Sequence, residues 1–138
     1  MVRMGFAIWV MMVLAVVSLG YIRLAPSNPA DWHQPPQVPA DTDMPTGVKR
    51  RVAADSGSLE RLDAIIRATP RTLVLSGSVG EGMITYVTRS RLFGFPDYTT
   101  VQRQGEVLAI YGRQRFGTSD LGVNQARVDG WLQVLQAG

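Results

Sequence analysis

The chain has 138 residues, is 46% hydrophobic, and carries no cysteine and one histidine, His33. That excludes a disulfide framework, a thiolate zinc site, a cysteine nucleophile and any two-histidine metal site. Its 14 basic residues, all Arg except Lys49, exceed 11 acidic ones by a formal +3, which is not the strongly basic profile of a nucleic-acid binder.

The apolar residues are concentrated at the start. Met4 to Ile22 is an uncharged run of 19 residues that includes Trp9 and Leu14 and is bracketed by Arg3 and Arg23. As a helix it would measure roughly 28 Å at about 1.5 Å per residue, close to the ~30 Å hydrocarbon core of a bilayer. The expectation is an N-terminal transmembrane anchor over residues 1–23, which makes the lipid bilayer a partner. A signal peptide is the alternative, but its apolar region runs only about 7–15 residues and ends at a small-x-small site. Here Ser18-Leu19-Gly20 lies inside the run. Cleavage after Ala25 would place Arg23 at −3 and Pro26 immediately behind. Arg3 and Arg23 nearly balance the positive-inside count; a short tail, a single span and then a polar domain favour the domain on the non-cytoplasmic side.

Residues 24–47 hold six of the eight prolines: Pro26, Pro29, Pro35, Pro36, Pro39 and Pro45. Proline at this density favours extended polyproline II. At about 3.1 Å per residue the segment would reach ~70 Å, a semi-rigid spacer holding the domain off the bilayer. Trp32 is expected to pack on the domain or sit among lipid headgroups, with docking of a partner as the alternative. His33 has no second ligand nearby and receives no metal role.

Residues 48–138 are expected to fold as one α+β unit. Lys49-Arg50-Arg51 at its start reads as a solvated basic run, with contact to anionic headgroups as the alternative. A helix is expected from Ser58, as N-cap, to Ala68, with Leu59, Leu62, Ile65 and Ile66 on one apolar stripe; Pro70 ends it. Strands follow over Thr72–Ser76, Met83–Leu92, Tyr98–Gln104 and Val107–Arg115, with short Gly- and Pro-marked turns that imply antiparallel neighbours. A last helix begins near Asp120, as cap, and runs to Gln136. Val128, Trp131, Leu132 and Leu135 form its buried face, and Gly130 is expected to let it approach the sheet closely. The order αββββα gives a four-stranded antiparallel sheet with two helices on one face.

The most suggestive chemistry is a doubled Arg-x-Arg, Arg89/Arg91 and Arg113/Arg115, each pair on one face of its strand. If the two strands flank a common neighbour, four guanidinium groups gather at one sheet end. Such a cluster suits carboxylate or phosphate, with Asp97 and Asp120 placed to neutralise part of it. Solvation, or pairing with those two carboxylates, is the plain reading, with the anion site and a protein-docking surface as the alternatives. Ser119 and Asp120 precede a helix and are expected to cap it; as a nucleophile Ser119 would lack a histidine base. Tyr86, Tyr98 and Tyr111 are expected to pack on the sheet.

The stretch TRSRLFGFPDY (88–98), the stretch RFGTSDLGVNQAR (115–127) and the upstream ATPR (68–71) resemble the bacterial family catalogued as domain of unknown function 1499. The resemblance covers residues 50–137. It implies a small envelope-associated domain and supplies no activity, so no catalytic role passes to Arg89, Arg91, Pro96, Asp97, Tyr98, Arg115, Ser119, Asp120 or Asn124. With it, the expected location is a bacterial inner membrane with the domain in the periplasm. The expected function is non-catalytic binding or assembly, as an accessory subunit of a membrane protein complex, with no cofactor and no nucleic acid. A module holding an anion or lipid headgroup on the Arg cluster is the alternative, and a hydrolase is the third possibility.

Overall fold

A computed structural model describes residues 2–138; Met1, the first residue of the expected anchor, lies outside them. Helix α1 (Val2–Leu24) is long and apolar enough to cross a membrane, and none of its apolar window is buried against the rest of the chain. A single turn, α2 (Pro29–Trp32), follows, and then β1 (Thr42–Met44), β2 (Gly47–Ala53), α3 (Ser58–Arg67), β3 (Thr72–Ser78), β4 (Met83–Arg89), β5 (Pro96–Gln104), β6 (Val107–Gln114) and α4 (Val123–Ala137). The six strands form one antiparallel sheet in the order β1-β2-β6-β5-β4-β3.

The sheet therefore has six strands where four are expected. The extra pair is the hairpin of β1 and β2, which starts inside the segment read as linker and runs through the basic triplet. Charge hides its alternation. Val48, Arg50 and Val52 face the helices, and Arg50 stays there because Asp129 takes its Nε at 2.8 Å and Asp43 its Nη2 at 2.8 Å. A paired guanidinium is tolerated where a lone one would not be.

Helices α3 and α4 lie on one face of the sheet, as the sequence predicts. Leu59, Leu62 and Ile66 of α3 and Val128, Trp131 and Leu132 of α4 close on Val48, Ile84, Tyr86, Val101, Leu108 and Ile110; Ile65 and Leu135 pack at the margin. Fully burying each aliphatic side chain contributes about 1.5–3 kcal/mol. The close approach of α4 is made by Gly112 of β6 rather than by Gly130. A Cβ at Gly112 would stand 3.3 Å from both Asn124 Oδ1 and Val128 Cγ2, whereas Gly130 faces open space.

The helix starts also differ in detail. Ser58 is the first residue of α3, and Gly57 is its cap. Ser58 hydrogen-bonds Asp55, whose carboxylate also accepts from Gly57 N. Asp120 caps α4 from two residues ahead of the Gly122 cap position, accepting from Gly122 N at 2.9 Å and Asn124 N at 3.3 Å.

The other sheet face is covered by the chain itself. Residues 25–40 do not project as a spacer but lie across β4, β5 and β6 as a strap, with Ala25, Pro36 and Val38 buried. Extended, proline-rich backbone suits this role: it leaves carbonyls free to accept from side chains below, and few N–H groups to satisfy.

Candidate functional site

Register decides which side chains meet under the strap. Val87, Tyr98 and Arg113 are neighbours across β4, β5 and β6, and so point to the same face; Thr85, Thr100 and Tyr111 form the next row along it. Trp32 lies flat on Tyr98, with centroids 3.8 Å apart and planes 12° apart. Arg113 stands between the Trp32 and Tyr111 rings, 5.5 and 4.7 Å from their centroids. It donates to Trp32 O at 2.6 Å, Thr100 Oγ1 at 2.9 Å and Tyr111 O at 3.0 Å. Burial lowers its pKa from the usual guanidinium value, yet an arginine keeps its charge in a protein. The aromatic faces and carbonyl dipoles are its counter-charge.

A file of hydroxyls continues from Arg113. Thr100 Oγ1 lies 2.9 Å from Thr85 Oγ1, and Thr85 lies 2.8 Å from His33 Nδ1. Thr100 Oγ1 accepts from Arg113 and lies 3.3 Å from Trp32 O, so the file links the Arg113 guanidinium to the His33 ring through two hydroxyls. His33 thus pins the strap. Its Cε1 sits where a Cβ at Gly77 would fall, 2.7 Å away.

The strap begins at the foot of α1 with a second set of bonds. Arg115 donates to Pro26 O at 2.8 Å and to Tyr98 Oη at 3.2 Å, and the tyrosine bond raises its pKa. Ser27 meets the same Tyr98 hydroxyl at 2.7 Å. Tyr21 of α1 packs edge-on against Phe116, with centroids 6.3 Å apart. A Cβ at Gly94 would stand 3.3 Å from Arg23 Cγ.

The doubled Arg-x-Arg is consequently divided. Arg89 ends β4 and Arg113 lies on β6, the two strands that flank β5, while Arg91 and Arg115, expected on those strands, fall just past their ends; the Trp32–Tyr98 stack stands between the two pairs. Arg113 and Arg115 are spent on the strap. Arg89 and Arg91 instead join Arg23 and Arg71 around a cavity of about 560 Å³ whose lining includes Leu73 and Val87. Arg89 donates to Gly94 O, and Arg71 Nε to Arg89 O. Among the described residues no carboxylate oxygen comes within salt-bridge distance of these four; the ion pairs are made by Arg50, Arg61, Arg67 and Arg127.

Asp97 and Asp120 do not neutralise the cluster. Asp97 is one residue from Tyr98 and so points to the helix face, where Arg127 bonds it at 3.1 Å. Burial pushes its carboxyl above the usual carboxylate range, against the pull of Arg127. Asp120 and Ser119 are occupied by the turn into α4, Ser119 accepting from Leu121 N. Arg23 and Arg71, which no spacing in the sequence marks, are also members of the cavity. Arg71 carries the one structural oddity that marks it, a φ of +56° on a non-glycine residue, and that is invisible before folding. Among the described residues no group of three His, Cys, Asp or Glu is placed to hold a metal ion.

A family model described as "Protein of unknown function (DUF1499)" matches residues 27–135. The match takes in the strap as well as the sheet and helices. No curated protein and no solved structure matches the chain.

Proposed function

The chain belongs to the DUF1499 family, and we propose that it is a membrane-anchored, periplasm-facing domain that binds and assembles rather than catalyses, an accessory subunit of a membrane protein complex. The observation that carries this reading is the junction between α1 and the sheet. Tyr21–Phe116, Arg115–Pro26 O and Ser27–Tyr98 tie the helix foot to the domain within a few residues of its end. A span so tied sets the domain flush on the bilayer instead of at the end of a tether.

The surface around the foot supports the same placement. Leu92 and Leu121, 74% and 91% exposed, stand in the two loops that adjoin Tyr21 and Arg23, with Phe93 beside Leu92. Exposed aliphatics at that level suit the interfacial zone, where Tyr and Arg also anchor spans. Leu121 holds φ +55° to stand there.

The chain is expected to stay with membranes through high-salt and alkaline washing and to come away only with detergent. Because it has no cysteine, an introduced Ala64→Cys on the exposed side of α3 gives one label site. A membrane-impermeant maleimide should reach it in spheroplasts without lysis; labelling only after lysis would reverse the orientation. Purification in mild detergent should bring a membrane partner in fixed ratio, and a chain that runs alone would sink the subunit role.

A further inference from the structure

We propose that the cavity at the foot of α1 holds one anionic phospholipid, with its phosphodiester among Arg23, Arg71, Arg89 and Arg91 and the start of an acyl chain along Leu73 and Val87. The inference rests on the anchored reading and names what that anchored domain binds.

Charge comes first. Four arginines line one cavity, and among the described residues none has a carboxylate within salt-bridge distance. Like charges gathered this way repel, and an anion relieves the repulsion. Guanidinium forks match phosphate oxygens in pairs. Two of the four are held in place before any ligand arrives, Arg71 by Arg89 O and Arg89 by Gly94 O, so little side-chain freedom remains to be lost on binding.

Backbone strain points to the same group. Arg71 sits at φ +56°, where glycine would be at ease and a side chain is strained. Residues held so are over-represented at ligand sites. The cost places a guanidinium at the cavity mouth.

Shape and place then select the ligand. The cavity measures about 560 Å³, within the ~300–1,000 Å³ usual for small-molecule sites. A free phosphate would leave most of it empty. Leu73, 75% exposed, and Val87 give it an apolar wall, which a purely ionic ligand does not use. Arg23 closes the cavity from α1 itself, two residues beyond Tyr21, at the depth of lipid phosphates if α1 spans. A molecule with a phosphate and a hydrocarbon tail in the adjoining leaflet satisfies charge, wall and position together.

The test uses the full chain in mild detergent, with native mass spectrometry counting bound dioleoyl-phosphatidylglycerol against dioleoyl-phosphatidylcholine. One phosphatidylglycerol should remain bound while phosphatidylcholine is shed. Arg71→Gly should weaken retention by roughly tenfold or more, since charge-assisted hydrogen bonds are lost, while the melting temperature holds or rises because φ strain is relieved. Leu73→Glu, which places a carboxylate on an exposed wall position, should do the same. Arg61→Ala, whose pair with Asp55 lies elsewhere, should leave retention unchanged. Equal retention of the two lipids, full retention by both Arg71→Gly and Leu73→Glu, or complete displacement by millimolar glycerol 1-phosphate would overturn the site. A chain that needs detergent for release yet shows any of those results keeps its anchor and loses its lipid. A chain washed off with salt loses the anchored reading itself.

Discussion

The two faces of the sheet are covered by different physical means. On one, α3 and α4 bury aliphatic side chains, and the arginines at its edges are matched by Asp43, Asp55, Asp63, Asp97 and Asp129. On the other, a strap whose only regular element is the single turn α2 lies over Thr85, Tyr98, Thr100 and Arg113, held by an aromatic stack and a file of hydrogen bonds. The first face is stabilised mainly by removal of apolar area from water, which is non-directional and large. The second depends on directional bonds of about 0.5–1.5 kcal/mol each, more where a charge takes part. The helix face is thus the stability core of the domain. The strap face is where the chain spends polar groups, leaves cations without carboxylates and joins its anchor.

The largest effect should come from the helix face. Leu62 is 1% exposed within the α3–sheet contact, and Leu62→Ala should cost about 2–5 kcal/mol of global stability, read as a fall in the midpoint of urea unfolding of the full chain in detergent. The loss should be felt across the whole domain in hydrogen exchange. Arg113→Ala comes next. It leaves Trp32 O and Thr100 Oγ1 without their charged donor, at roughly 1–3 kcal/mol. Here the exchange pattern matters more than the magnitude: amides of residues 25–40 should lose protection while those of α3 and α4 keep theirs. Loss of protection spread evenly over both faces would mean that they unfold as one unit, and the contrast between them would fail.

The same division governs what could be read before folding. Apolar residues at helical spacing identify α3 and α4 and the face they bury, because that face is made by periodicity. The strap has no period. Its meaning lies in contacts 50 to 90 residues apart, such as His33 to Thr85, Trp32 to Arg113 and Pro26 to Arg115, and proline density is equally consistent with a free spacer. Strand β2 was obscured by Lys49-Arg50-Arg51, whose middle member points inward only because Asp129, 79 residues away, receives it. The Arg-x-Arg spacing brings both pairs to one end of the sheet, although β4 stops at Arg89 and β6 at Gln114, so that Arg91 and Arg115 lie beyond the strands. It does not reveal that Trp32 comes between them, nor that Arg71, in the turn before β3, and Arg23 of α1 complete the cavity.

The smallest effect tests the comparison through protons. Asp55 is held at about 2 by its hydrogen bonds to Arg61, Gly57 N and Ser58, below the ~3.9 of an unfolded aspartate. The unfolded chain therefore takes up this proton first as the medium is acidified. The stabilisation is complete above about pH 4 and drains away as pH falls towards 2. Asp97 works in the opposite sense, since burial raises its carboxyl and the folded state protonates first; the acid limb of the wild type is the balance of the two. Asp55→Asn removes one side of that balance. The variant should show a shallower fall in melting temperature between about pH 4 and pH 2, and because the group is exposed the difference should shrink in high salt. Arg113→Ala, made where no carboxylate pairs with the guanidinium, should leave the slope of the acid limb as in the wild type even though it lowers the whole curve. If Arg113→Ala flattens the limb as much as Asp55→Asn, carboxylates do support the strap, and the two faces are not held by different means.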